Sequence, residues 1–536
     1  MLCEGAFGTG SEKPPDRRNR GPLPPTKTTA PGPIRRPREA AQKNAKGPIR
    51  RPREAAQERD EAPLEPRRER RALSHVGGKV TIQGGSEEEQ AALAHALNVS
   101  ADEDEVMQDV HGFHSYPARL HPKTASRLVE HLSRGDGRVL DPFCGSGTVV
   151  VESRALGRTA LGSDLNPLSV ELAWLKSRGV TQKFASDLVR AAERIADKAE
   201  ERRLDRADPH RRYDTEDRER YPIHILLELD SIYHGIFALE HNEPKRALRL
   251  VVSSLLTKLS YSEGDTTRRK APRRLAPGFA IQLFVDKTRE LAERLVAFSE
   301  RVPPRTPRAY VTHADARKLG YVEPKSIDLI VTSPPYPGVY DYLDHHLHRL
   351  RWLGLRESRL QDDEIGARRS YRRRRLGEAE DLWVREIGAC LREMRRVLAS
   401  DGRAVMIVAD SVVDRRALRA VPALERAAKE NGVDIMAVAS QKRPIFLHGA
   451  EEAFHDAPRE EHVLIIRPGR APIQRSFGKP SERRSDDDEA RPRRSFDERP
   501  TATRAPAQRG PRERQETRER SPERSRDARR VPPKSR

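Results

Sequence analysis

Arg138-Val-Leu-Asp-Pro-Phe-Cys-Gly-Ser-Gly-Thr148 reads as a short apolar strand that runs into a Gly-rich turn, then a helix from about Val149. Gly145 and Gly147 permit positive φ and let the backbone approach a ligand closely. Thr159-Ala-Leu-Gly-Ser-Asp164 reads as a second strand, ending in an acid sixteen residues beyond Thr148. Strand, Gly turn, helix and a strand with a terminal acid make a nucleoside-binding unit, in which the acid accepts from ribose hydroxyls. The turn lacks a third Gly and Asp141 precedes the glycines, so this is not the dinucleotide fingerprint.

A second stretch complements the first. Ser326-Ile-Asp-Leu-Ile330 is an apolar run bounded by a Pro-Lys turn and reads as a buried parallel strand. It continues as Val331-Thr-Ser-Pro-Pro-Tyr336. Pro334 and Pro335 cannot donate ladder hydrogen bonds, so the strand must stop at Ser333. Ser333 to Tyr336 then form a stiff loop at the carboxyl end of a strand, where open α/β sheets bind ligands. Such a loop suits an exocyclic amine on a nucleobase, whose lone pair is conjugated into the ring. Acceptors on Ser333 and the Pro carbonyls can hold its N–H bonds, and the Tyr336 ring is expected to stack on an extruded base.

Asp-Pro-Phe-Cys-Gly-Ser-Gly-Thr at 141–148 together with Thr-Ser-Pro-Pro-Tyr at 332–336 resembles the S-adenosylmethionine-dependent amino-methyltransferases of DNA, most closely their N4-cytosine branch. The N6-adenine branch more often carries Asp at the position of Ser333. The resemblance covers about 108–180 and 308–468. It implies an α/β fold: a Rossmann-like, seven-stranded class I methyltransferase sheet. It also implies S-adenosyl-L-methionine as cofactor and site-specific methylation of double-stranded DNA with a flipped target base. The enzyme would be cytoplasmic and nucleoid-associated, in restriction-modification with a partner endonuclease or as an orphan. Three rivals stay open: N6-adenine specificity, methylation of guanine N2 in transfer RNA, and a non-catalytic DNA-binding protein on the same fold.

The resemblance assigns Ser333, Pro334, Pro335 and Tyr336 to catalysis. It assigns Asp141, Phe143, Gly145, Gly147, Thr148, Asp164 and Asn166 to the cofactor. Asp315, after the expected strand Ala309-Tyr-Val-Thr-His313, would accept from the cofactor's adenine amine. In His111-Gly-Phe-His-Ser-Tyr-Pro-Ala-Arg-Leu-His-Pro-Lys123, the residues His114, Tyr116, Pro117 and Arg119 would close over its methionine end. Three histidines there lack a Cys partner or a repeated ligand pair, and no metal is expected.

Composition sets the rest. The 536 residues carry 102 Lys plus Arg and a formal net charge of +20, which suits a polyanionic partner. Three scattered cysteines exclude a disulfide framework and fit a reducing compartment. There is no run of about 18 apolar residues and no apolar N-terminal signal core, so neither a membrane span nor a secretory leader is expected. Residues 1–104 read as a disordered basic arm in which an eleven-residue unit at 32–42 recurs at 47–57, and residues 469–536 as a disordered Arg/Pro/Glu-rich tail.

Between them, 105–180 and 308–468 would form the two halves of the catalytic domain, with 181–307 a helical insertion. Helices are expected there at about 184–204, 225–236, 246–259 and 281–298. The insertion carries a basic loop with Arg268, Arg269 and Arg273, which suggests target recognition through phosphates and base edges. Tyr340 and Tyr342 are expected beside an unstacked base, and Arg372, within Arg368–Arg375, on a mobile loop over phosphate.

Overall fold

Alternation of apolar side chains along the central strands decides the layers. The computed structural model describes residues 78–99, 106–262, 274–445 and 451–469. The expected arm up to residue 77, the tail from 470 and the loop residues Arg268, Arg269 and Arg273 lie outside the described residues. In chain order the strands are β1 (Val80–Gly84), β2 (Arg138–Asp141), β3 (Thr159–Asp164), β4 (Tyr310–His313), β5 (Ile327–Thr332), β6 (Leu398–Ala409), β7 (Ser411–Val413), β8 (Arg416–Leu418), β9 (Val433–Lys442) and β10 (Glu460–Pro468).

The large sheet runs β1-β9-β10-β6-β5-β2-β3-β4, and β7 and β8 form a separate hairpin. The ladders β6-β5-β2-β3-β4 are parallel, whereas β10 runs antiparallel to both neighbours and β1 runs antiparallel to β9. Seven of these strands are those expected. The eighth, β1, corrects the boundary of the arm. Its partner helix α1 (Glu87–Leu97) opens with a capping box in which Ser86 and Glu89 satisfy each other's backbone amides. The aliphatic face of α1, with Leu93 and Leu97 buried, packs under the sheet. Folding thus begins well before residue 105.

Val139, Leu329, Val331, Val405 and Ile407 face one side of the sheet, where α1 and α2 (Pro122–Leu132) cover them. Leu140, Ile330, Ala404, Met406 and Val408 face the other, under α13 (Leu376–Val397) and α14 (Ala420–Asn431). Odd-even partition across a parallel sheet buried on both faces is the expected pattern.

The remaining helices are α3 (Thr148–Ala155), α4 (Pro167–Lys176), α5 (Gln182–Leu204), α6 (Thr215–Arg220), α7 (Ile223–Phe237), α8 (Asn242–Leu259), α9 (Phe279–Arg301), α10 (Tyr342–Leu353), α11 (Ser358–Asp363) and α12 (Arg368–Tyr371). Helices α5, α7, α8 and α9 fall within a few residues of the four expected, and they share one apolar core with α4 and α10. No described helix is long and apolar enough to cross a membrane.

The topology places the site. From β2 the chain steps outward to β3 and β4, then returns to the opposite side of β2 as β5. Val139 pairs with Leu329 and Leu140 with Ile330, so β2 and β5 end side by side. That reversal of strand order opens a crevice at their carboxyl ends.

Candidate active site

Two loops leave that crevice. The first turn owes its shape to Gly145 at φ 49° and Gly147 at φ 93°. A Cβ on Gly147 would stand 2.8 Å from Ala173 Cα, so the turn lies flush against α4. A Cβ on Gly145 would meet the Tyr116 ring at 3.3 Å. Asp164, at the end of β3, holds the turn: Gly145 N–H donates to its Oδ2 and Asn166 N–H to its Oδ1, both at 2.8 Å. Asn166 caps α4 by accepting from Leu168 N–H at 3.0 Å, and its amide contacts His346 Nδ1 at 2.8 Å.

The two loops are tied to each other. Thr332, the last residue of β5, donates from Oγ1 to Asp141 Oδ1 at 2.6 Å, and Phe143 N–H donates to the same oxygen at 3.1 Å. Burial pushes the Asp141 carboxyl up to about 7, against those hydrogen bonds. Asp164 is likewise pushed by burial up to about 6, against its two backbone donors.

The cavity over these loops is lined by most of the expected cofactor residues: Tyr116, Arg119, Asp141, Phe143, Gly145, Thr148, Asp164, Asn166 and Asp315, with Ser333 and Pro335 from the second loop. Gly147 turns toward α4 instead. Tyr116 hydroxyl bonds Ser169 Oγ at 2.6 Å, and its ring stacks on His346 at 5.0 Å. Arg119 donates to His111 O and Met107 Sδ, and burial without a neighbouring carboxylate lowers its guanidinium to about 10. Asp315 is chelated by the Arg317 side chain at 2.7–3.0 Å.

Carboxylates at the ends of β3 and β4, a half-buried cation and two positive-φ glycines suit a nucleoside that carries an amino-acid end. The described residues contain no group of His, Cys, Asp and Glu able to hold a metal ion. His111 is paired instead with Glu152 at 2.7 Å, His114 contacts Ser253 Oγ at 3.0 Å, and His121 accepts from Lys123 N–H at 3.2 Å as the cap of α2.

Three expected placements need correction. Tyr336 is 5% exposed, and its ring sits in the core beneath α13 rather than facing the cavity. Its side chain belongs to the core cluster that also holds Leu140, Trp383 and Met406, and Trp383 Nε1–H donates to the Pro335 carbonyl at 3.3 Å. The hydroxyl is what reaches the site, 3.5 Å from Ser333 Oγ and 3.4 Å from Glu461 Oε1.

Tyr342, expected against a base, lines the same cavity and lies 6.4 Å from the Tyr116 ring, because it opens α10 directly above the turn. The segment 368–375 is no free loop at its start. Arg369 is tied to Asp341, Glu364 and two carbonyls, and Tyr371 is buried. Arg372 is exposed, and Tyr340 is half-buried 5.6 Å from the Tyr342 ring.

Sequence reasoning missed Glu461 and Arg443. Arg443 Nε donates to Glu461 Oε2 at 2.9 Å, and the pair is buried with side chains 5% and 3% exposed. The available signal was Glu461, two residues before the apolar run Val463–Ile466: a charge leading into a buried strand needs a partner.

The sequence model of the N6/N4 DNA methylase family matches residues 29–174. Among curated proteins the chain is similar to the type II methyltransferase M.BsoBI of Geobacillus stearothermophilus, 22% identical over 287 residues, which are 48% of this chain and 55% of that one. It is also similar to the type II methyltransferase M.MvaI of Kocuria varians, 37% identical over 70 residues, or 12% of this chain and 15% of that one. The chain therefore spans about half the length of the first relative and far less of the second. Among solved structures, the rRNA methyltransferase AviRa of Streptomyces viridochromogenes superposes with a TM-score of 0.27 at 14% identity, over 70% of this chain and 96% of that one. A TehB-like S-adenosylmethionine-dependent methyltransferase of Corynebacterium glutamicum gives 0.22 at 12% identity, over 64% and 86%.

Proposed function

We propose that this chain, which belongs to the DNA amino-methyltransferase family, transfers a methyl group from S-adenosylmethionine to an exocyclic amine of DNA, N4 of cytosine in the first place. The observation that carries the reading is the Thr332–Asp141 hydrogen bond of 2.6 Å, which locks the Ser-Pro-Pro-Tyr loop beside the Gly turn. A donor held over one loop and an amine held in the other then meet at a fixed distance, and such orientation is the main lever available to a displacement reaction.

The chain's own residues fit the cofactor. Asp164 and Asn166 would hold the ribose, Asp315 the adenine amine and Arg119 the amino-acid carboxylate. When bound, the cofactor supplies an electrophilic methyl on a sulfonium. Ser333 would hold the target amine. Arg443 donates to Glu461, and Glu461 accepts the Tyr336 hydroxyl. With that proton committed, the Tyr336 oxygen can accept from Ser333 Oγ–H. Ser333 then turns its lone pairs to an amine N–H and favours the tetrahedral nitrogen that attacks. These oxygen–oxygen distances of 3.4–3.5 Å are long, as catalytic hydrogen bonds often are before substrate arrives. Ser333 in place of Asp supports cytosine over adenine.

The reading is tested by incubating the full chain with labelled S-adenosylmethionine and duplexes containing all four bases, then identifying the labelled nucleoside. N4-methylcytosine is the expected product. Label in N6-methyladenine would move the specificity, and absence of label in any duplex would remove the function.

A further inference from the structure

A second concave feature lies on the helical insertion, between α5 and α7. Arg194, Lys198 and Arg202 line it from α5 and His234 from α7, with His210 at its edge. These α5 positions recur at i, i+4 and i+8, so one face of the helix presents them together. No carboxylate lines the groove. Asp197 and Glu201 are exposed on the adjoining strip of α5.

The cations here differ from those around them. Arg190 is paired with Asp187, Arg203 with Glu200 and Arg289 with Glu193. In the groove, Arg202 is held by neutral oxygens, Ser231 Oγ at 3.2 Å and Asp208 O at 2.6 Å. Arg194 and Lys198 have no hydrogen-bonded or ion-pair partner among the described residues. The His210 and His234 rings stack at 3.7 Å with an interplanar angle of 9°. His210 is oriented from behind by Asp230, which accepts from its Nδ1 at 2.9 Å. The helices approach closely enough to form the floor because Gly235 has no side chain: a Cβ there would stand 2.8 Å from Ile195 Cγ2.

We infer that this groove binds a phosphate of the DNA backbone away from the target base. The inference rests on the DNA-methylating reading above and deepens it. A floor of uncharged side chains, three cations without carboxylate partners and two imidazoles suit a phosphodiester, a compact anion with several acceptor oxygens. The location suits the same duplex. Arg211, next to His210, lies 4.3 Å over the Trp352 ring near the end of α10, and the first residue of α10, Tyr342, lines the cofactor cavity. A helix of 12 residues spans about 18 Å. B-form DNA carries a backbone charge about every 1.7 Å of its axis, so a duplex engaged at the cavity has phosphates within that reach.

The test uses the full chain and a fluorescent duplex, with affinity followed by anisotropy between about 50 and 200 mM salt. Arg194→Ala/Lys198→Ala should flatten the log–log salt dependence by about 1–2 and weaken binding equally for all sequences. Arg194→Glu/Lys198→Glu should weaken binding further. Lys183→Ala/Arg190→Ala, a control pair already tied to Asp187, should leave the slope unchanged. An unchanged slope in the folded groove variants would overturn the inference. Failure of the methylation reading looks different: the wild-type chain would then label no duplex, whatever its salt slope.

Discussion

The Tyr336 hydroxyl stands 3.5 Å from Ser333 Oγ, while the Tyr336 ring is buried at 5% exposure. This arrangement separates two roles that a sequence motif merges. The ring holds the loop in the core, and the hydroxyl addresses the serine.

Tyr336→Phe keeps the ring and removes the hydroxyl. It should lower the single-turnover methylation rate by about tenfold, the effect of about 1.4 kcal/mol, and leave cofactor affinity unchanged. Tyr336→Ala should instead destabilise the fold by about 3–5 kcal/mol, as deletion of a buried aromatic ring does. Denaturant titration beside single-turnover kinetics separates the two. A Phe variant with wild-type rate would return the residue to a purely structural role.

The buried Arg443–Glu461 pair gives a second expectation. Removing one partner strips a buried charge of its ion pair, so Glu461→Gln should cost about 3–5 kcal/mol of stability. Glu461→Gln/Arg443→Met should recover much of that loss. The measurement is equilibrium unfolding of the three proteins. Full stability in the single variant would show that the pair is not desolvated as its 3% and 5% exposures imply.

The carboxyls of Asp141 and Asp164, raised to about 7 and about 6, predict two pH dependences of opposite sign. Without ligand, the folded chain binds these protons more tightly than the unfolded chain, whose Asp pKa is about 3.9. Their contribution to stability therefore falls as pH rises from about 4 to about 7, then levels off. The cofactor carries a sulfonium and favours ionised carboxylates. Its affinity should rise as pH climbs through about 6–7 and plateau above. Calorimetry in buffers of differing ionisation heat should show proton release on binding near pH 6. Affinity that falls across that window would contradict the assignment.

Much of the fold was legible because it follows from local chemistry. Apolar runs such as Ile327–Thr332 fit only a strand buried on both faces, and each ends at a residue that cannot continue it. Helical spacing found α5, α7, α8 and α9. The arm was misjudged because β1 is an edge strand with a polar, half-exposed face, and its pairing with β9 joins residues more than 350 apart. Local pattern does not encode a partner so distant.

The site was legible to the same depth. Asp141, Gly145, Asp164 and Ser333 stand at strand ends, where sequence fixes position. The orientation of Tyr336 depends on Glu461, contributed by a strand 125 residues later. Tyr342 was misread because an aromatic residue after the loop fits either wall of the crevice. Only the seating of α10 over the turn decides between them.

The central claim is that Ser333 holds an exocyclic amine of DNA for methyl transfer. The most direct measurement expresses the wild-type and Ser333→Ala chains in a methylation-free host and quantifies methylated nucleosides in its genomic DNA by mass spectrometry. In parallel, calorimetry checks that both proteins bind S-adenosylmethionine. The account predicts N4-methylcytosine with the wild type and at least about a tenfold loss in the Ala variant, the scale set by losing one polarising contact, with cofactor affinity equal in the two. Equal N4-methylcytosine from both, or no methylated base from a wild-type chain that binds the cofactor, would contradict it.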